Sequence, residues 1–349
     1  MIDILKIIFP TVLTFFIGIS ITPFFTRYFY RYKMWKKSPR TNANTSDAFN
    51  KIHNTEHELS TPKIGGVIIW VAVLFAVCVI YFLSLVMPSD LTLKLNFFSR
   101  SQTLVPLGAF FLAAFIGLAD DMVHIYGLNG FAQDALIYRK IKTVLITGIG
   151  LMISLWFYYK LDFNSVHIPF NGDLYLGIWF IPFFIIVMLA TFSTSVIDGI
   201  DGLSGGVLAS VFTAFTVIAF INNQFDISAL SGAIAGAILA FLWFNVPPAR
   251  FYMGETGMMA LTVTLSVIAF LTDSVLILPV IALPLAATTA SDIIQIYVYK
   301  FFYGYRVFRV APLHHHFQAL GWPREKIVMR YWIVSVICAI SGVILVLIS

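Results

Sequence analysis

Residues 65–86 read GGVIIWVAVLFAVCVIYFLSLV. The stretch carries no charged side chain, and its apolar residues run on continuously instead of alternating with polar ones. About 20 apolar residues in a helix cross the hydrocarbon core of a bilayer. A strand of a membrane barrel would alternate, so the run predicts a transmembrane helix. Nine further runs of this kind lie near 4–26, 104–119, 143–158, 175–192, 206–221, 229–244, 257–272, 275–297 and 331–348. The expectation is an all-α, polytopic integral membrane protein with about ten transmembrane helices. So many spans leave no room for a separate soluble domain, so 1–349 reads as a single transmembrane domain.

The composition agrees. Of the 349 residues, 59% are hydrophobic and 11% are charged, and mean hydropathy is +0.89. Soluble domains carry about 25% charged residues, which excludes a cytosolic enzyme. The 34 Phe demand burial and exclude a disordered chain. Only two cysteines occur, Cys78 and Cys338, both inside apolar runs, so no disulfide framework is expected. The first run follows Met1-Ile2-Asp3, which is not basic, and is expected to be a span, not a cleaved signal peptide.

Charge sets the orientation. Of the 22 Lys and Arg, only Lys6, Lys94, Arg100 and Lys160 fall on one side of the ten-span scheme. The other eighteen, Arg40 and Lys51 among them, fall on the other side. Cytoplasmic loops carry the excess of Lys and Arg, so both termini are expected outside. The mixed aromatic and basic run Phe24–Tyr32 suits a membrane interface. The net charge of +5 then reflects topology and an anionic partner. With no nucleic-acid-binding motif present, no nucleic-acid partner is expected.

The unusual residues gather on that same cytoplasmic side. Asp120-Asp121 ends the third span, and two adjacent carboxylates at a membrane edge require a cation or a proton to relieve them; alone, the pair also suits a solvated helix end. Asp198-Gly199-Ile200-Asp201-Gly202-Leu203-Ser204-Gly205-Gly206 places two carboxylates three residues apart, on one face if helical. That loop has no Lys or Arg of its own, which favours a bound cation over a plain glycine turn. Glu255, between Gly254 and Gly257, is a candidate oxygen ligand for Mg²⁺, which is held by one or two carboxylates plus substrate phosphates. His314-His315-His316 cannot all face one way, and their spacing is poor for zinc; a phosphate or polar substrate is the better reading. Thr61-Pro62-Lys63-Ile64-Gly65-Gly66 is a weaker Gly-Gly turn signal, and Lys140 and Lys142 alone would be ordinary basic anchors. Together these groups suggest a Mg²⁺-dependent site for a phosphate-bearing substrate, beside an apolar surface suited to a lipid co-substrate.

From Thr61 to Trp332 the chain resembles the polyprenyl-phosphate N-acetylhexosamine-1-phosphate transferases. Within them it is most similar to the phospho-N-acetylmuramoyl-pentapeptide transferase branch. The most specific stretch is Arg306–Phe317, RVFRVAPLHHHF, continuing through Gly321-Trp322-Pro323. Thr61-Pro62 with Gly65-Gly66, Asp120-Asp121, Asp198–Leu203 and Phe241–Asn245 also match. The resemblance implies transfer of phospho-MurNAc-pentapeptide from UDP-MurNAc-pentapeptide to undecaprenyl phosphate, giving lipid I and UMP in peptidoglycan synthesis. It implies Mg²⁺ as cofactor, a multi-pass location in the cell inner (plasma) membrane with the lipid bilayer as a partner, a cytoplasmic site and a homodimer. Carried over by residue, Asp120 handles the lipid phosphate and Asp121 orients the uridine diphosphate or metal. Asp198 and Asp201 shape the pyrophosphate pocket. Glu255, with Asp198, is the metal-ligand expectation. Thr61, Lys142 and Asn245 contact substrate, and His314, His315 and His316 contact the sugar phosphate or peptide.

The chain departs from the family at several of these positions. Two family Asn are Phe192 and Ser195, the metal-binding Asp is Glu255, and a Ser after the next glycine is Met258. A Lys three before Thr-Pro is Glu58, and a Glu after the triple His and Phe is Gln318. The rival readings are a related transferase with a different UDP-sugar donor, a lipid transporter, and a non-catalytic paralogue.

Overall fold

The computed structural model describes residues 2–37, 55–98, 102–127 and 135–349. Arg40, Lys51 and Arg100, which enter the charge count, lie outside them. The helices are α1 (Ile2–Arg31), α2 (Thr55–Glu58), α3 (Val67–Val86), α4 (Asp90–Leu95), α5 (Leu104–Tyr126) and α6 (Ala135–Lys160). A hairpin of β1 (Ser165–Ile168) and β2 (Gly172–Tyr175) follows, antiparallel with Ser165 opposite Tyr175. Then come α7 (Phe180–Ser193), α8 (Leu203–Ile221), α9 (Phe225–Asn245) and α10 (Gly254–Leu271). The last are α11 (Leu278–Ile281), α12 (Leu283–Phe301), α13 (Leu313–Ala319) and α14 (Arg324–Ile348).

Among the described residues, nine helices are long and apolar enough to cross a membrane. The protein is an all-α polytopic membrane protein. The run expected over 275–297 is the exception: it breaks at Ala282 into α11 and α12. Pro279 and Pro284 sit in the first turn of each piece, where a missing N–H costs nothing and a new helix starts readily. α12 also carries Thr288, Thr289, Ser291, Asp292 and Gln295, which dilute its apolar character.

Large apolar side chains such as Phe16, Phe82, Trp243 and Ile333 are more than half exposed on the outer surface. A hydrocarbon solvent makes such a surface stable, because every helix satisfies its own backbone. Inside, α10 is enveloped, and every one of its residues except Glu255 is buried. It packs on α5, α7 and α3, while α1 lies along α9 and α8 lies between α9 and α14. Small residues permit these approaches, as membrane helix interfaces favour: a Cβ on Gly232 or Gly236 of α9 would strike Thr11 of α1. Lys6 of α1 and Asp226 of α9 form an ion pair at the far end of the same contact.

Candidate active site

The site begins where α5 crosses the start of α10. Gly117 makes the crossing close, since a Cβ there would run into the Glu255 carbonyl. One turn later Asp121 is wholly buried, and its carboxylate reaches across to the open end of α10. Oδ1 accepts from the Glu255 N–H at 3.2 Å and Oδ2 from the Thr256 N–H at 2.9 Å. The first N–H groups of a helix have no partner within it, and an acidic group satisfies them and the helix dipole together. Asp121 therefore caps a helix remote from it in sequence. Its counter-charge is Lys63, 2.7 Å away. Asp120, 4% exposed, pairs instead with Lys142 at 2.9 Å. Lys142 also holds Glu255 at 3.1 Å. The adjacent acids are thus relieved by two different lysines.

Lys63 is placed by its backbone. Its N–H donates to the Met34 carbonyl, while Gly65, Gly66 and Tyr252 zip the Pro62–Gly66 segment against Phe251–Met253 with bonds of 2.8–2.9 Å. Gly66 lies directly on Gly257, where any side chain would collide. Gly254, at φ +70°, turns under Lys63 and Asp121 in the same way. Burial alone would lower the Lys63 ammonium's affinity for its proton, but Asp121, Glu255 and Asp120 outweigh this and raise it above the ordinary lysine range.

Two clefts flank this point. One is bordered by Lys36, Thr61, Asp201, Asn245, His315 and Arg324, among others. The second is bordered by Ser193, Ser195, Val196, Gly254, Glu255 and Met258. Lys63 and Asp198 line both. Asp198 and Asp201 lie in a turn before α8, not on a helix, yet both face the first cleft. Asp198 accepts from Ser204 Oγ at 2.8 Å and from the Gly254 N–H at 3.2 Å. Asp201 accepts from the Ala249 N–H at 3.1 Å. Asn245 accepts from the Gly202 N–H and donates to the Phe251 carbonyl, so its amide fastens the turn to the facing loop. Thr61 sits beside His57, which bonds the Tyr252 hydroxyl at 2.6 Å.

The three histidines separate. His315 lines the first cleft and bonds Gln318 at 2.6 Å. His314 is fully buried beneath Gly199, where a Cβ would meet its ring. His316 accepts from the Arg309 N–H at 3.1 Å. Partial burial, and then the Arg309 charge, hold His316 below the usual imidazole range.

The donors fit Mg²⁺. Among the described residues no three acidic or imidazole side chains converge closely enough to hold an ion alone. Mg²⁺ needs only one or two carboxylates when substrate phosphates complete the shell. Glu255 Oε2 is buried and has no hydrogen-bonding partner among the described residues, and Asp198 lines the second cleft together with Glu255. Both offer the hard oxygen donors that Mg²⁺ takes.

The model of Glycosyl transferase family 4 matches residues 103–273. The chain is 31% identical over 304 residues to a phospho-N-acetylmuramoyl-pentapeptide-transferase of Chloroflexus aurantiacus, covering 83% of this chain and 78% of the relative. It is 31% identical over 339 residues to one of Caldanaerobacter subterraneus subsp. tengcongensis, covering 95% and 96%. It is 36% identical over 250 residues to one of Listeria monocytogenes, covering 67% and 74%. The chain belongs to the phospho-N-acetylmuramoyl-pentapeptide-transferase family.

The departures from the family's pattern fall around the clefts. Ser195 and Met258 line the second cleft, and Phe192 packs against the core. Glu58 lies in the first cleft, 3.0 Å from Lys36. Gln318 holds His315. Sequence reasoning missed Lys36, Lys63, Tyr252 and Arg324 as cleft residues. The lysines and the arginine read as membrane anchors in the charge count. The one local signal was Lys63's place beside the Gly65-Gly66 pair.

Proposed function

We propose that the chain transfers phospho-MurNAc-pentapeptide from its UDP donor to a polyprenyl phosphate such as undecaprenyl phosphate, forming lipid I and releasing UMP. The observation that carries the reading is the pair of clefts meeting at Lys63 and Asp198, with Asp120 and Glu255 behind them. The first cleft takes the uridine diphosphate. The second takes the lipid phosphate, because at Ser193 it adjoins an apolar groove between α7 and α11–α12. Phe183, Val187, Leu278, Leu285 and Ile293 line that groove, which suits a prenyl chain.

A lipid-phosphate oxygen attacks the phosphorus that carries the sugar. The new P–O bond forms as the bond to the UMP oxygen breaks, and UMP leaves with that electron pair. Asp120 accepts the proton of a monoprotonated lipid phosphate and keeps the attacking oxygen anionic. Lys63 and Lys142 hold opposing charges in place, since phosphoryl transfer depends on positioning and charge stabilisation. Glu255 and Asp198 would hold Mg²⁺, whose chemistry is to neutralise the diphosphate and polarise its P–O bonds. In this reading the site end of the bundle faces the cytoplasm at the plasma membrane, with both termini outside, and the excess of Lys and Arg on that side supports it.

The test is UMP release by purified protein in detergent with UDP-MurNAc-pentapeptide, undecaprenyl phosphate and Mg²⁺. EDTA-sensitive release with lipid I formation is expected. A folded sample that releases no UMP, or accepts only a different UDP-sugar, would overturn the proposal.

A further inference from the structure

We infer that Lys63 is a phosphate-binding residue of this chain, its ammonium placed to contact the donor diphosphate on one side and the acceptor phosphate on the other while anchored on Asp121. The inference rests on the transfer proposed above. Among the described residues Lys63 is the one cation that borders both clefts. The others nearby are on one side or engaged: Lys36 with Glu58, Lys142 with Asp120 and Glu255, and Arg324 in the first cleft alone. Asp121 Oδ1 is the acceptor bonded to the Lys63 ammonium among the described residues. An ammonium has three N–H donors, so two remain for oxygens arriving from the clefts.

The setting sharpens a contact of this kind. The Lys63 side chain is 11% exposed, and low water access strengthens charge-assisted hydrogen bonds. Its backbone is fixed by the bond to Met34 and by the zipped Phe251–Met253 segment, so the ammonium starts from a set position. Lysine is also a compact charge on a flexible stem, able to follow a phosphoryl group as it passes from one cleft to the other.

The test separates a phosphate contact from mere service as the Asp121 counter-ion. Removing Lys63 alone would strand a buried carboxylate, so the comparison is Asp121→Asn against the double variant Lys63→Met with Asp121→Asn. UDP and farnesyl phosphate are the two probes, titrated separately with Mg²⁺ present, and thermal unfolding is followed in parallel. The expected result is at least a tenfold weaker affinity for both probes (about 1.4 kcal/mol) in the double variant, at an unfolding temperature close to that of Asp121→Asn. Lys63→Arg in the otherwise unchanged chain, which keeps the charge, is expected to bind both probes within about threefold of wild type, whatever the fate of Asp121→Asn. Equal affinities in the single and double variants would overturn the inference and leave Lys63 as a counter-ion. Wild type that binds neither probe would overturn the transfer reading itself.

Discussion

Replacing Asp121 by alanine removes a carboxylate that serves three donors: the Lys63 ammonium and the N–H groups of Glu255 and Thr256. The pair is buried, Asp121 being 0% exposed. Breaking a buried ion pair from one side costs about 3–5 kcal/mol, because the remaining charge stays desolvated. Losing a helix cap adds roughly 1 kcal/mol. The expected cost is about 4–6 kcal/mol, a large part of the roughly 5–15 kcal/mol that keeps a protein folded. Asp121→Asn retains an acceptor oxygen for the cap and is expected to cost less. The double variant Lys63→Met with Asp121→Asn is expected to recover part of the loss, since no unpaired charge remains. Chemical unfolding in mixed micelles, arranged as a double-mutant cycle, measures all of these. An Asp121→Ala protein as stable as wild type yet inactive would refute the reasoning, and would move Asp121 from holding α10 to direct contact with substrate.

Three further outcomes follow from the same geometry. Glu255→Gln keeps the shape at the start of α10 but removes the carboxylate charge; turnover is expected to fall at least a hundredfold and the Mg²⁺ concentration for half-maximal rate to rise, with unfolding little changed. Gly117→Val forces a side chain into the Glu255 carbonyl; overpacking of this kind costs about 1–3 kcal/mol, read as a lower unfolding midpoint. The Lys63 ammonium binds its proton more tightly in the folded chain than in the unfolded one, so its contribution to stability is fully present below the ordinary lysine value, near 10.4, and is lost as pH rises through the higher folded value. Unfolding midpoints followed from pH 8 to pH 11 should therefore hold to about pH 10 and then fall more steeply in wild type than in Lys63→Met.

Much of the architecture was legible because a membrane span is a local property. Twenty apolar residues such as Val67–Val86 announce themselves without reference to any partner. The break at Ala282 was not legible, because Pro279 and Pro284 each serve as the start of a helix and the apolar run passes over both. The β1–β2 hairpin was missed for a related reason: two four-residue strands are too short to show a period. In the site, the acids were conspicuous as residues but their partners were not. The loop of Asp198 and Asp201 holds no cation of its own, and a bound cation was the natural inference. The structure also brings Lys63, a cation from another segment, to the same wall. Likewise Asp120 and Asp121 announced mutual repulsion, yet nothing local indicated that each takes a different lysine. Pairings across such distances depend on how α3, α5, α6 and α10 pack, and that is not written in any one of them.

That arrangement bears on how the site persists between turnovers. Asp120, Asp121 and Glu255 are brought together at one point, and uncompensated carboxylates there would repel each other strongly in a poorly hydrated setting. If a metal were the sole counter-charge, the start of α10 would loosen whenever metal and diphosphate left together. Lys63 and Lys142 remain with the chain. The first neutralises Asp121, which caps the α10 end, and the second ties Asp120 to Glu255. Glu255 Oε2 has no hydrogen-bonding partner among the described residues, on the one residue of α10 that is not buried. On the proposed transfer, a carboxylate oxygen held ready at this helix end would be there to receive the metal that comes with the diphosphate.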